Sequence, residues 1–215
     1  MRVFTLILFL LTTIICKSQF IDVTVDKKFA SANSSLWFGA GAAAADYDDD
    51  GDIDLFVCTG NDNPNYLYEN DGGHFTSIGE SLELDFTERS RMALWIDIDG
   101  DADLDLLVVG DCHLNVHDCY DDNQMHLYRQ ENGVFNEITA EAGLNSYGPK
   151  NSKQRLGGLA AADMNGDSFI DFIQVFSNNK IEAFINNGNG TFKEESVSLG
   201  TAYFCAGSLI LFGTK

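Results

Sequence analysis

The sequence predicts an all-β fold made of repeated four-stranded antiparallel sheets. Three observations carry this reading. A nine-residue acidic loop occurs three times, a β-branched and aromatic run follows each copy, and an Asn/Gly turn closed by phenylalanine comes next at a similar distance. No amphipathic helical stretch of useful length lies between these signals. Only residues 141–148 leave room for a helical turn.

Each unit opens with a strand of small or apolar residues, at 42–45, 92–96 and 159–162, and runs into the acidic loop. A second strand follows at 55–57, 106–109 and 172–176, where Val, Ile, Leu and Phe dominate. The third strand is expected at 66–68, 125–128 and 181–185. Turns reading NDGG, NG and NNGNG then lead to Phe75, Phe135 and Phe192 and a fourth strand, as hairpin chemistry requires. Asp46 to Phe75 and Asp163 to Phe192 each span 29 residues, against 38 from Asp97 to Phe135, so the middle copy carries an insertion. Four antiparallel strands per unit of this length make the blade of a β-propeller. The repeats run over about 37–82, 90–141 and 156–199.

The acidic loops read DYDDDGDID (46–54), DIDGDADLD (97–105) and DMNGDSFID (163–171). Oxygen-bearing side chains stand at positions 1, 3, 5 and 9: Asp46, Asp48, Asp50 and Asp54; Asp97, Asp99, Asp101 and Asp105; Asp163, Asn165, Asp167 and Asp171. Position 7, held by Asp52, Asp103 and Phe169, offers its backbone carbonyl. This alternation wraps a short chain around a hard cation that takes six to eight oxygens. Four carboxylates so close repel one another unless a cation lies among them. A solvated acidic turn is the plain alternative, and three copies in register weigh against it. Up to three Ca²⁺ sites are expected. An EF-hand is excluded, because position 12 is Val57, Val108 and Gln174 rather than Glu, and strands flank the loops. Only Gly51 supplies glycine at position 6, and Asn165 removes one charge from the third loop, so affinity should fall from the first loop to the third.

The stretch WFGAGAAAADYDDDGDIDLFV from Trp37, with Phe38-Gly39 and Gly41-Ala42 ahead of the loop, resembles the FG-GAP or VCBS repeat of integrin-α-like propellers. The closing pieces FTSI, FNEIT and FKEESV are similar to the version found in secreted bacterial proteins and the cartilage acidic protein group. The resemblance spans about residues 20–192. It implies a calcium-stiffened extracellular propeller used for binding or adhesion, of a kind that usually has no catalytic residues of its own.

Residues 1–18 read as a secretory signal peptide cleaved after Ser18, too short to span a bilayer; lipidation of Cys16 is an alternative. Residues 19–215 are then one propeller domain, secreted or at the cell surface. Residues 20–24 (FIDVT) match the fourth strand of a blade, and counting on from Phe192 places a further loop at 214–220. The expectation is three full blades with partial ones at both ends, an incomplete ring explained by truncation or by self-association.

A net charge of −20 argues against nucleic acid and anionic membranes as partners. An extracellular protein or a carbohydrate is the expected class. Cys112 and Cys119, seven apart in the inserted stretch GDCHLNVHDCYDD, suit a disulfide outside the cytoplasm. With His113 and His117 between them, zinc is the alternative. Cys58 and Cys205 read as small buried hydrophobes, and His74 and His126 as structural residues. No G-x-S-x-G elbow, Walker loop or H-E-x-x-H occurs, so no enzyme is expected. A propeller framing an unrecognised site in an extracellular enzyme, such as a carbohydrate-active one, is the alternative.

Overall fold

The computed structural model describes residues 41–59, 63–87, 90–110, 125–144, 156–176 and 181–195. They form twelve strands in three four-stranded antiparallel sheets, each with its strands in chain order. The first sheet holds β1 (Ala42–Ala45), β2 (Asp54–Val57), β3 (Tyr66–Asp71) and β4 (His74–Ser77). The second holds β5 (Ser90–Ile96), β6 (Asp105–Gly110), β7 (Met125–Glu131) and β8 (Val134–Glu137). The third holds β9 (Leu156–Ala162), β10 (Asp171–Phe176), β11 (Ile181–Asn186) and β12 (Phe192–Glu195). These are the blades expected of an incomplete propeller. The first strands lie side by side, β1 against β5 and β5 against β9, which puts the small-residue strands innermost. The Gly41 N–H donates to the Arg91 carbonyl at 2.8 Å, and a Cβ on Gly41 would stand 2.5 Å from that oxygen.

Two apolar layers hold the blades together. Phe56, Cys58 and Leu67 of the first blade meet Leu106, Val108 and Tyr128 of the second. Leu107, Val109, Met125 and Leu127, on the other face of the same second blade, meet Phe172 and Phe184 of the third. The middle blade is covered on both faces, and all six residues of β6, DLLVVG, are buried. A strand sandwiched in this way reads as a continuous apolar run rather than an alternating one.

The one regular helical turn among the described residues is a 3₁₀ turn at Gly79–Leu82; of the stretch where a helical turn had room, 141–144 form no regular helix and 145–148 lie outside the described residues. It follows β4, where Ile78 N–H returns to the Leu67 carbonyl and Leu84 N–H to the Gly79 carbonyl. The second blade repeats the arrangement without a regular 3₁₀ turn, with Ile138 bonding to Leu127 and Leu144 to Thr139. Leu84 and Leu144, each fully buried, drive both returns. The segments where a signal peptide and the partial end blades are expected, and Cys112, Cys119 and Cys205, lie outside the described residues.

Candidate metal loops

The three acidic loops share one geometry. The carboxylate at position 1 accepts from backbone N–H groups of positions 4 to 6. Asp46 takes Asp50 and Gly51, both at 3.0 Å; Asp97 takes Gly100 at 2.7 Å and Ala102 at 3.1 Å; Asp163 takes Gly166 at 2.7 Å and Ser168 at 2.9 Å. The carboxylate at position 5 accepts from position 7, at 2.8 Å for Asp50, 2.9 Å for Asp101 and 2.9 Å for Asp167. These bonds draw the chain into a tight coil with its carboxylates turned inward.

Position 9 ties the loop to its sheet. Asp54, Asp105 and Asp171 are fully buried. One oxygen of each accepts from position 2, the N–H of Tyr47, Ile98 or Met164. The other accepts at 2.8 Å from the third strand, the N–H of Asn70, Gln130 or Asn186. Position 7 reaches the neighbouring hairpin, with Asp52 accepting from Gly72 at 2.7 Å and Asp103 from Asn132 at 2.8 Å. In the third loop Phe169 packs its ring against Gly188 instead, where a Cβ would stand 2.7 Å away. The loop and the β3–β4 type hairpin of each blade therefore lie at one end of the array.

The glycine argument from position 6 needs correction. Both position 4 and position 6 take positive φ: Asp49 at 61° and Gly51 at 94°, Gly100 at 82° and Ala102 at 78°, Gly166 at 82° and Ser168 at 77°. Each loop thus has two left-handed residues and one glycine, placed sixth in the first loop and fourth in the others. A missing glycine at position 6 no longer sets the first loop apart. Asp at position 49 is a residue that tolerates the left-handed region better than Ala or Ser does, and this smaller difference points the same way.

The loops differ in how their acids converge. Asp46, Asp48 and Asp50 each bring one carboxylate oxygen within 4.8 Å of the others, as do Asp97, Asp99 and Asp105. Either cluster could hold a metal ion. In the second, Asp99 Oδ1 is buried and accepts no hydrogen bond among the described residues, leaving an acceptor that a cation would satisfy. The third loop gives no such cluster among the described residues. There the Asn165 amide donates to Asp167 Oδ2 at 2.8 Å, so an internal hydrogen bond occupies the oxygen a cation would need.

The electrostatics follow burial. Burial pushes the Asp105 carboxyl up to about 7, with the charges of Asp99 and Asp101 adding to it and the N–H groups of Ile98 and Gln130 opposing. Burial also raises Asp48, Asp54 and Asp99, with neighbouring carboxylates contributing to each. Asp163 moves the other way, lowered first by the N–H of Ser168. Arg129 of β7 places Nε 3.3 Å from Asp99 Oδ2 and offsets part of the rise there. Its counterpart is Glu69 in the first blade and Ile185 in the third. The spacing of the motif carried no hint of this residue.

A second feature missed from the sequence joins the blades. The amide of Gln130 donates to the carbonyl of Tyr47, position 2 of the preceding blade's loop, at 3.0 Å, and to that of Leu104 in its own loop at 3.2 Å. Asn186 repeats this with Ile98 at 2.7 Å and Ile170 at 3.2 Å. The only signal was an Asn or Gln directly before each hairpin turn. Cys58 is buried, and burial pushes its thiol up to about 12, which makes it unreactive. His126 lies tilted against Phe86 with ring centroids 5.1 Å apart and bonds Glu137 at 3.0 Å, contacts that suit a structural role.

No curated protein matches the chain. The family model for the FG-GAP-like repeat matches residues 30–108, which take in the whole first blade, β5 and most of β6. The third blade lies beyond that match, yet its position-9 carboxylate makes the same pair of bonds as in the first two. Over residues 30–108 the chain is similar to the FG-GAP-like repeat.

Proposed function

We propose that this chain is a secreted, calcium-stiffened propeller segment that serves as an extracellular binding or adhesion module and performs no catalysis of its own. One observation carries the calcium reading: two loops of the same template converge three carboxylates each, and one of them leaves a buried acceptor without a donor. At 4.8 Å two carboxylates repel by about 3.5 kcal/mol at an effective dielectric of 20. Three such pairs in one loop are a large burden beside an ordinary folding stability of about 5–15 kcal/mol. A hard dication relieves it, and oxygen-only ligands select Ca²⁺ or Mg²⁺ over softer metals. A flexible nine-residue loop suits the looser shell of Ca²⁺.

The ion would join the loop, the buried position-9 carboxylate and, through it, the third strand of the blade. Rigid rims of this kind position connecting loops for recognition. With a net charge of −20, an extracellular protein or carbohydrate is the favoured partner, and no helix of the described residues is long and apolar enough to cross a membrane. The test is retention of the purified chain on panels of immobilised matrix proteins and glycans, in calcium and in chelator. Retention in calcium that chelator abolishes supports a binding module. Turnover of a glycan in the same assay contradicts the non-catalytic reading.

A further inference from the structure

We propose that Arg129 is a built-in counter-ion of the second loop, and that the charge at its place in the third strand of a blade sets how strongly the loop takes calcium. The proposal rests on the calcium reading of the loops and adds how two loops of one template are made to differ. Arg129 lies in β7 one residue beyond Tyr128, which pairs with Leu106. The same register position holds Glu69 in the first blade, one beyond Tyr68 opposite Leu55, and Ile185 in the third, one beyond Phe184 opposite Phe172. Blades that share their loop bonds thus carry a negative, a positive and a neutral side chain at one place.

The second loop shows what the positive charge does. Arg129 Nε stands 3.3 Å from Asp99 Oδ2, and the two side chains are 25% and 23% exposed. Among the described residues neither that buried Nε nor the buried Asp99 Oδ1 makes a hydrogen bond. The contact is therefore Coulombic without being a closed, hydrogen-bonded pair. It offsets part of the loop's charge and leaves one carboxylate oxygen to meet a cation. The guanidinium has little room to leave. A Cβ on Gly190, in the third blade's hairpin, would stand 3.0 Å from Arg129 Nη2 and 3.3 Å from Ile98 Cδ1, which places the guanidinium between the second loop and that hairpin.

The first loop has the opposite arrangement. Asp46, Asp48 and Asp50 converge, and Glu69 adds its charge to theirs: the Tyr47 hydroxyl is raised first by burial and then by Asp48, Glu69, Asp54 and Asp50. A dication entering the second loop must overcome the charge of Arg129, whereas one entering the first gains that of Glu69. Without calcium the second loop keeps a partial counter-charge. An opposite charge within about 4–6 Å changes a carboxylate's affinity for a proton by about 10- to 1,000-fold. With Arg129 and Asp99 both about a quarter exposed, the low end applies, on the order of tenfold.

The experiment is an NMR calcium titration of the full chain, read at the amides of Gly51 and Gly100, which bond Asp46 and Asp97 and so report the first and second loops separately. In wild type the Gly51 amide should reach its midpoint at lower calcium than Gly100. Arg129→Met should lower the Gly100 midpoint on the order of tenfold and leave Gly51 in place, and Arg129→Lys, which keeps the charge, should stay near wild type. Glu69→Arg should raise the Gly51 midpoint by a similar factor and leave Gly100 unmoved. Melts in chelator and in saturating calcium separate charge from packing: Arg129→Met should cost more in chelator, whereas lost packing alone costs the same in both. The melts also verify folding, and Glu69→Arg carries the test should Arg129→Met not fold. A calcium-responsive Gly100 whose midpoint ignores Arg129→Met, or moves as far in Arg129→Lys, overturns the proposal and leaves the calcium reading standing. Wild-type amides that ignore calcium overturn both.

Discussion

Replacing Asp105 by Asn should have an effect that depends on calcium. Asp105 is fully buried, shares a cluster with Asp97 and Asp99, and has its carboxyl pushed up to about 7 by burial. A folded value above the unfolded one means that the metal-free protein binds more protons when folded, so its stability is greatest in acid and falls as pH rises from about 4 to about 7. Near neutral pH the linkage amounts to roughly 4 kcal/mol against the folded state, reduced by water at the loop rim to on the order of 2–3 kcal/mol. Asparagine removes this charge but keeps only one oxygen for the N–H groups of Ile98 and Gln130, and the unserved N–H costs about 1–3 kcal/mol. In chelator the two effects nearly cancel. In calcium the electrostatic relief is absent, because the cation already provides it, and a charged ligand is lost; at a hundredfold excess over Kd a bound site contributes about 2.7 kcal/mol. Urea melts of both proteins in both conditions should therefore show the substitution costing about 3 kcal/mol more in calcium than in chelator. An equal cost in the two conditions would refute the assignment of Asp105 to a cation.

Removing one ligand from each loop should rank them. Asp46→Ala should reduce calcium stabilisation more than Asp163→Ala, since the third loop already satisfies Asp167 through Asn165, and calorimetric titration of the single variants reads the order. Gln130→Ala leaves the carbonyls of Tyr47 and Leu104 without their amide donor and should cost about 1–3 kcal/mol in a denaturant melt. Asn70→Ala, whose amide among the described residues reaches only the Ile53 carbonyl of its own blade, should cost less. A thiol assay on denatured, unreduced protein should find Cys112 and Cys119 bonded; counting both as free would exclude the disulfide.

The blade order was legible because the sequence carries two periods at once. The apolar runs of β2, β6 and β10 sit between an acidic coil and an Asn/Gly hairpin, and both boundaries are set by local chemistry: carboxylates accepting their own loop's N–H groups, and glycines in left-handed turns. The acidic loops were legible for the same reason. What lay between blades was not. The amides of Gln130 and Asn186 reach carbonyls 83 and 88 residues away, and Arg129 meets Asp99 only because β7 passes the second loop. Position 4 was overlooked because the motif was read by its ligands, whereas φ is set by the coil itself, which demands two left-handed residues per loop. The buried Gln174–Glu182 pair across β10 and β11 had no local signal either. It follows from strand register, which brings those two residues opposite each other.

The central claim, that these loops bind calcium in the folded state, is tested most directly by scanning calorimetry of one preparation divided between calcium and chelator. Ions that bind the native but not the unfolded chain raise its stability by mass action. The melting temperature should rise with calcium concentration and keep rising logarithmically beyond saturation. Superimposable melts in calcium and chelator would contradict the account.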